Sequence, residues 1–389
     1  MTIRVLFYVQ HLMGVGHQMR AAAVTRELVK AGFDITYVSG GMPVPGLDLG
    51  GASFEQLPPC KSADSSFQTL VDETGQPVDE LWRESRKERL LNLFTRVCPD
   101  VLITETFPFG RRLMRFELDP LLERAAQTTP KPLIAASIRD ILEPKSTPER
   151  YDEIADKIER WYDAILVQSD PTLVPLEATV PVTEKFKSKI YYTGYVGERE
   201  ILPKSEIGQG EVIVTAGSGR VGLTLLEIAM KARSLTKLAD APWRILVGTG
   251  MPEDQFHNLI AHAEKGITVE RHRTDYLSLL RNCAVSISRA GYNTVMDILI
   301  ERPPAVLVPF ATPQETEQLV RARLLAKLGL VQLVEESDVT PTTLAVAINS
   351  AYKAPAMEVK DLGVTGAAKT ASLLTDIYRI RDMASNPGN

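Results

Sequence analysis

The sequence predicts an α/β protein made of two tandem Rossmann-like domains, each built on a parallel sheet. Three observations predict it. Short β-branched runs alternate with longer amphipathic runs along the chain. The alternation breaks once, over the turn-rich, polar stretch Thr193–Gly210. It then restarts as it began, with strand, glycine loop and helix. The 389 residues exceed one typical domain and suit two.

Ile3–Val9 reads as the first strand, His11–His17 as a glycine-containing loop and Met19–Ala31 as a helix that Gly32 ends. Phe33–Ser39, Val101–Glu105, Leu133–Ser137 and Ala164–Gln168 read as further strands with helical stretches between them. In the second half, Glu211–Ala216 is a strand, Gly217–Gly219 a loop and Gly222–Ala232 a helix. Arg244–Gly248, Thr268–Glu270, Ala284–Ser288 and Ala305–Pro309 follow as strands. The domains are drawn at 1–197 and 211–375, joined by a linker at 198–210, with the end of a C-terminal helix and a tail at 376–389.

Composition sets limits on function. Apolar residues at 44% and charged residues at 24% are ordinary for a soluble globular chain. A formal net charge of −5 argues against a dedicated nucleic-acid binder. Cys60, Cys98 and Cys283 form no CxxC pair, so neither a disulfide framework nor a zinc site is expected, and a reducing compartment fits. No run reaches the length of a membrane span and Val5–Val9 is too short for a signal-peptide core, so the expectation is a cytoplasmic protein, with peripheral contact to the inner membrane face left open.

Ligands in open parallel sheets bind beyond the carboxyl ends of the strands, so residues just after each strand are the site candidates. Gly14, Gly16 and His17 follow the first strand, where small residues admit a phosphate or acceptor group and the next helix offers free N–H groups. An ordinary turn with a capping histidine is the alternative. The third glycine of the dinucleotide fingerprint is missing there, and no acidic residue ends the second strand, which argues against NAD. Gly217, Ser218, Gly219 and Arg220 form the equivalent loop of the second half and suit a diphosphate. The third candidate is Ser288–Asp297. A strand ends at Ser288, Arg289 and Ala290 lead to a turn at Gly291, and Asn293 or Thr294 caps a helix over Val295–Ile300. That helix directs its positive end at phosphate, and Asp297, placed in its first turn, suits a ribose diol. The polar loop Thr312–Gln318 follows the next strand and can serve sugar hydroxyls.

These residues resemble the MurG-like glycosyltransferases of family 28, the group that includes the N-acetylglucosaminyltransferase of peptidoglycan lipid II synthesis. The likeness runs through Ser288-Arg-Ala-Gly291, Thr294-Val-Met-Asp297, Pro304–Pro309, Glu317-Gln318 and Leu324–Gly329, and recurs more weakly at Gly14–His17 and Gly217–Gly219. It implies the GT-B architecture, two Rossmann-like domains with parallel sheets facing an interdomain cleft. It also implies a nucleotide-sugar donor, UDP-linked in most of the group, held by the C-terminal domain. On this resemblance Ser218 and Gly291 lie at the diphosphate, Asp297 at the ribose, where the group has a longer glutamate, and Glu317 and Gln318 at the donor sugar. Arg273 stands where the group offers the base an apolar or backbone contact. The Asn-Pro-x-Arg of the group is replaced by Tyr195-Val-Gly-Glu198, and no role is carried over there.

The implied chemistry is inverting transfer, with no bound cofactor beyond the co-substrate and no metal, since no Asp-x-Asp stands at a strand end. His17 is the first choice of base, with an ordinary pKa near 6.5, and Glu105 and Asp140 are its rivals. The run Phe107–Phe116, with Arg111, Arg112 and Arg115, reads either as a helix with Phe109, Leu113 and Phe116 on one face or as a contact for an anionic or lipid-linked acceptor. A nucleotide-sugar hydrolase or epimerase and a non-catalytic nucleotide-sugar binder are the alternatives on the same fold.

Overall fold

The computed structural model describes residues 2–13, 16–64, 68–142, 147–181, 184–197, 205–216, 222–248, 250–271, 273–312, 316–354 and 365–385. The chain divides into two compact units, Met1–Glu198 with Gly363–Asn389, and Arg199–Leu362.

The first unit runs β1 (Arg4–Val9), α1 (Gly16–Lys30), β2 (Asp34–Ser39), β3 (Ser53–Gln56), β4 (Cys60–Ser62), β5 (Leu70–Asp72), α2 (Glu80–Val97), β6 (Val101–Glu105), α3 (Arg115–Gln127), β7 (Leu133–Arg139), α4 (Pro148–Trp161), β8 (Ala164–Gln168) and β9 (Ile190–Tyr192). Seven of these strands form a parallel sheet in the order β3-β2-β1-β6-β7-β8-β9, and β4 and β5 form a separate hairpin. β1, β6 and β8 are apolar almost throughout and buried, as central strands covered on both faces must be. The predicted strands of this half all form. The edge strands β3 and β9 have no such run, because a half-covered edge needs no continuous apolar sequence.

The second unit runs β10 (Val212–Thr215), α5 (Leu223–Ala232), β11 (Trp243–Val247), α6 (Glu253–Ala261), β12 (Ile267–Arg271), α7 (Tyr276–Asn282), β13 (Val285–Ser288), α8 (Tyr292–Glu301), β14 (Ala305–Leu307), α9 (Glu317–Lys327), β15 (Gln332–Leu333) and α10 (Pro341–Lys353). Its six strands are parallel, in the order β12-β11-β10-β13-β14-β15. In both sheets the order reverses beside the first strand, between β1 and β6 and between β10 and β13. That reversal is the topological switch point of a doubly wound fold.

α11 (Gly366–Ser385) corrects the sequence reading. The residues up to 375 were expected in the second domain, yet this helix packs on α1 of the first unit, with Ala367, Ala371 and Leu374 buried beside Val5, Ala21 and Leu28. Val196 bridges Thr365, and Gly366 donates its N–H to the Tyr195 carbonyl, so the returning chain is stitched to the first unit. The close backbone approach leaves no room for a side chain at Gly366, since an added Cβ would lie 2.4 Å from the Gly194 carbonyl oxygen. Among the described residues no helix is long and apolar enough to cross a membrane.

Leu374→Ala deletes a fully buried side chain and is expected to cost about 2–5 kcal/mol. Hydrogen exchange is expected to show faster opening in β1 and β6 and none in β10 and β13. Faster exchange confined to β10 and β13 would return the helix to the second unit.

Candidate functional site

In the first unit the switch point brings together residues distant in sequence. Glu105 is the last residue of β6 and is 4% exposed, and His17 stands in the first turn of α1. Nδ1 of His17 lies 2.5 Å from Oε1 of Glu105. Arg20, one turn further along α1, places Nη2 3.8 Å from the same oxygen and 3.1 Å from His17 Nδ1. Arg111 places its Nη2 3.8 Å from Glu105 Oε2, which accepts no hydrogen bond among the described residues. One ring nitrogen cannot donate to Glu105 and accept from Arg20 at once. The carboxylate is the nearer partner and the stronger acceptor, so Nδ1 carries the proton and Arg20 acts as a charge.

Burial pushes the His17 pKa down to about 3, with the Glu105 charge opposing that shift and Arg111 adding to it. Burial pushes the Glu105 carboxyl up, but His17, Arg111 and Arg20 outweigh it and hold the group down to about 2. At neutral pH the pair is therefore a neutral imidazole on an ionised carboxylate, with the Nε2 lone pair uncommitted to Glu105. This is the arrangement of a general base held by an acidic partner.

The floor of this site is a buried polar cluster. Arg86 of α2, fully buried, donates to both oxygens of Glu117 of α3 (2.8 and 3.0 Å), to Gln10 Oε1 (2.8 Å) and to the Gly40 carbonyl (2.9 Å). Tyr8 donates to Glu117 at 2.5 Å. Arg111, in the left-handed region at φ 59°, donates from Nε to the Gln10 carbonyl at 2.6 Å. Asp140, the other rival base, is fully buried directly after β7, and no described hydrogen bond joins it to His17 or Glu105. The expected helical face of Phe109, Leu113 and Phe116 does not form. The helix begins only at Arg115, and Phe109 is buried edge-on to Phe186, so these aromatics serve the core. Arg115 pairs with Glu153, and Arg111 is the arginine of the run that reaches the site.

In the second unit the switch point is built from backbone and neutral groups. α8 begins at Tyr292 with Gly291 as its N-cap, two residues before the expected Asn293, and no side chain caps it. A Cβ on Gly291 would meet nothing within 4 Å, so the space before the first turn of α8 is clear of the described residues. Ser288 at the end of β13 is fully buried, and its hydroxyl has no partner among the described residues. A clamp from α9 holds the turn: Gln318 Oε1 accepts from the Ala290 and Phe310 amides at 3.1 and 3.2 Å, and Arg321 donates to the Ala290 carbonyl at 2.8 Å. Gln318 thus fixes the turn with its oxygen. Glu317 is buried and pairs with Arg321 at 2.7 Å, so it acts on the clamp. Arg289 is taken up by the Val308 carbonyl and Glu336, and Arg273 by Asp275 and Glu270. Thr294 is half-buried and Asn293 exposed on the first turn.

Asp297 is the sixth residue of α8, so it lies beyond the first turn where the sequence reading put it. Its carboxyl has no hydrogen bond or ion pair among the described residues. Burial, and secondarily Glu301, push it up to about 7. Gly14, Gly217, Ser218, Gly219 and Arg220 lie outside the described residues. Gly16 opens α1. Sequence reasoning missed Gly222, although Gly217–Gly222 spells G-x-G-x-x-G. An added Cβ there would lie 2.3 Å from the Ala216 Cβ, so the glycine lets α5 close on β10. It also missed Arg20, whose role depends on β6 lying beside β1.

Residues 212–369 match the glycosyltransferase family 28 C-terminal domain. The UDP-N-acetylglucosamine--N-acetylmuramyl-(pentapeptide) pyrophosphoryl-undecaprenol N-acetylglucosamine transferase of Anaeromyxobacter sp. (strain K) is 27% identical over 207 residues, 49% of this chain and 51% of that protein. The transferase of the same name from Geobacillus kaustophilus is 26% identical over 52% of this chain and 58% of its own length. The first of these alignments spans about half the length of the relative. Among solved structures, Acinetobacter baumannii MurG superposes with a TM-score of 0.60 at 15% identity, over 97% of this chain and 99% of that one. Streptomyces sp. SF2575 glycosyltransferase SsfS6, complexed with thymidine diphosphate, gives 0.55 at 17% identity, over 98% and 99%. The fold is that of the GT-B glycosyltransferases, and the chain is MurG-like.

The dyad has a signature in acid. A histidine kept neutral by burial contributes stability present above its ordinary pKa of 6.5 and lost as pH falls toward about 3. Glu105, held low, contributes stability present above 4.5 and lost as pH falls through about 2. Urea midpoints are expected to drop between pH 6.5 and 4 in the native protein and to drop less in His17→Gln. Equal slopes in the two proteins would show that His17 is not held neutral.

Proposed function

We propose that this protein, whose residues 212–369 form a glycosyltransferase family 28 C-terminal domain, is an inverting glycosyltransferase. Its second unit holds a nucleoside-diphosphate sugar, and its first unit activates an acceptor hydroxyl. The observation that carries the reading is His17 on ionised Glu105: a neutral imidazole beside a buried carboxylate has little structural purpose and a clear chemical one.

In the proposed reaction His17 Nε2 takes the proton of the acceptor hydroxyl as its oxygen attacks the anomeric carbon. The bond from that carbon to the nucleoside diphosphate breaks, and the electron pair leaves with the diphosphate. Glu105 orients His17 and stabilises the imidazolium formed on it, which counters part of the effect of burial. The N–H groups that open α8 stabilise the departing charge, so the reading needs neither metal nor cofactor. Asp297 accepts from the ribose hydroxyls and the Gln318 amide donates to the sugar. A UDP-linked donor is supported by the names of the curated relatives, and thymidine diphosphate in a structural neighbour makes dTDP the competing nucleotide. An undecaprenyl-linked acceptor stands in those same names. It supports an anionic, lipid-linked acceptor and contact with a membrane surface.

Calorimetry against UDP, dTDP, GDP and CMP, followed by incubation with the matching nucleotide-sugars, tests the reading. Saturable binding of one nucleotide with release of that nucleotide on turnover is expected. Free sugar formed at full rate without acceptor would make the protein a hydrolase. His17→Ala is expected to lower kcat about 10²–10⁴-fold while nucleotide Kd stays within about twofold. Equal losses in both would make His17 a phosphate contact. Ribose hydroxyls bind best to an ionised carboxylate, so nucleotide affinity is expected to rise as pH climbs through about 7. Asp297→Asn is expected to remove that rise, and a rise that persists in the variant would remove Asp297 from the ribose site.

A further inference from the structure

His11 follows β1 by two residues and is 4% exposed. Its ring is held from two sides. Nδ1 lies 3.0 Å from Nε2 of Gln18, a side chain of α1 that is itself buried. Gly41 presses on the same ring edge, where an added Cβ would lie 2.2 Å from Nδ1 and 2.4 Å from Cε1. The Gln18 amide is oriented in turn, because its oxygen accepts from the Tyr37 hydroxyl and its nitrogen also donates to Ser39 Oγ at 3.2 Å. The Gln18 atom facing His11 is the amide nitrogen, which can only donate. Nδ1 of His11 is therefore an acceptor, and the ring proton sits on Nε2. That Nε2 has no partner among the described residues. A buried ring N–H without a protein partner is a donor still to be satisfied. The opposite tautomer was derived above for His17, where Glu105 takes the Nδ1 proton and leaves a lone pair on Nε2.

We propose that the first unit holds His11 and His17 as opposite tautomers, so that His11 is a specificity-determining residue donating from Nε2 to a second oxygen of the acceptor while His17 accepts the proton of its reacting hydroxyl. A core histidine would be expected to have both ring nitrogens paired within the protein, whereas His11 has a partner only at Nδ1 among the described residues. The shared field supports one site, since Arg111 and Glu105 both act on the His11 ring as they do on His17. The oxygen recognised is an electron-rich one, a phosphoryl or carboxylate oxygen or a neighbouring hydroxyl. A group that can only donate is rejected there. The inference rests on the proposed acceptor role of the first unit, but its test requires neither donor nor acceptor.

Long-range proton–nitrogen correlation on protein labelled at its five histidines reads each tautomer at pH 7.5, with assignments from His11→Gln and His17→Gln. His11 is expected to show a protonated Nε2 and His17 a protonated Nδ1. Inorganic phosphate, as the anionic probe, and glycerol, as the hydroxyl probe, are then titrated separately. A saturable shift of His11 Nε2 that leaves the exposed His257 and His262 unmoved is expected with one of them, and which one names the kind of oxygen. A His11 ring protonated on Nδ1 would overturn the proposal, and so would a His11 Nε2 that neither probe moves. If those outcomes appear while nucleotide still binds and turns over, the transferase reading stands without a role for His11.

Discussion

The constraint on which the molecule depends is the reversal of strand order beside the first strand of each sheet. At β1 and β6, and again at β10 and β13, successive connections leave toward opposite faces of the sheet. Such a switch point is where a doubly wound sheet leaves room for polar groups beyond the carboxyl ends of its strands. Elsewhere the strands are roofed by the helices that join them. Thus His17, Glu105 and the turn from Ser288 to Gly291 arise from three separate segments yet share the same kind of location. The chemistry follows the winding of the sheets, and changes to the loops alone would not move it.

Opening a polar site at the heart of a parallel sheet has an energetic consequence, since charges placed there lose water. The first unit offsets this with full pairing. Arg86 and Glu117 satisfy one another and also bind Tyr8, Gln10 and the Gly40 carbonyl, so neither charge is left alone. A lone buried charge of this kind typically costs about 3–5 kcal/mol. Gly40 is required by the same cluster, because a Cβ there would strike Gln10 and Arg86 at 2.2 and 2.5 Å. Above it, Glu105 stays ionised in spite of burial because Arg20, Arg111 and His17 surround it. The rigid lower cluster fixes Gln10, Gln10 fixes Arg111, and Arg111 faces the carboxylate that orients His17.

Much of this architecture was legible in the sequence for a physical reason. Central parallel strands are mostly apolar on both faces, so Val5–Val9, Val101–Ile103 and Val212–Val214 declare themselves. Residues that follow such runs were nameable as site candidates, and His17 and Glu105 were both named, as rivals. That they form one pair was not legible. The two are 88 positions apart, and only the adjacency of β1 and β6 joins them. α11 was misassigned for a related reason: its small-residue face, Ala367 and Ala371, would suit any close helix contact, and nothing local says which unit supplies it. The start of α8 was misplaced because Asn293 and Thr294 are good caps by type, whereas the structure leaves the position to Gly291. In the proposed reaction this uncapped helix N-terminus is what faces the diphosphate. The local rule failed at the point where a functional demand competes with it.

In the proposed reaction the two units do their chemical tasks with different materials, and this accounts for where family resemblance concentrates. The second unit uses backbone N–H groups, glycines that clear space, and one amide that clamps a turn. These need particular residue types at fixed short spacings, so the pattern is readable along the chain and coincides with the matched domain at 212–369. The first unit uses side chains that converge from β1, α1, β6 and the loop after β6. Convergent sites leave little local pattern, because each member needs only to reach a common point. A diphosphate is the same ligand whatever sugar it carries, and a site of fixed dipoles serves it without alteration. An acceptor must be distinguished from others bearing similar hydroxyls, and that demands directed protons and lone pairs such as those of His11 and His17. A local motif therefore identifies the donor chemistry of such a chain, while acceptor chemistry has to be read from assembled geometry.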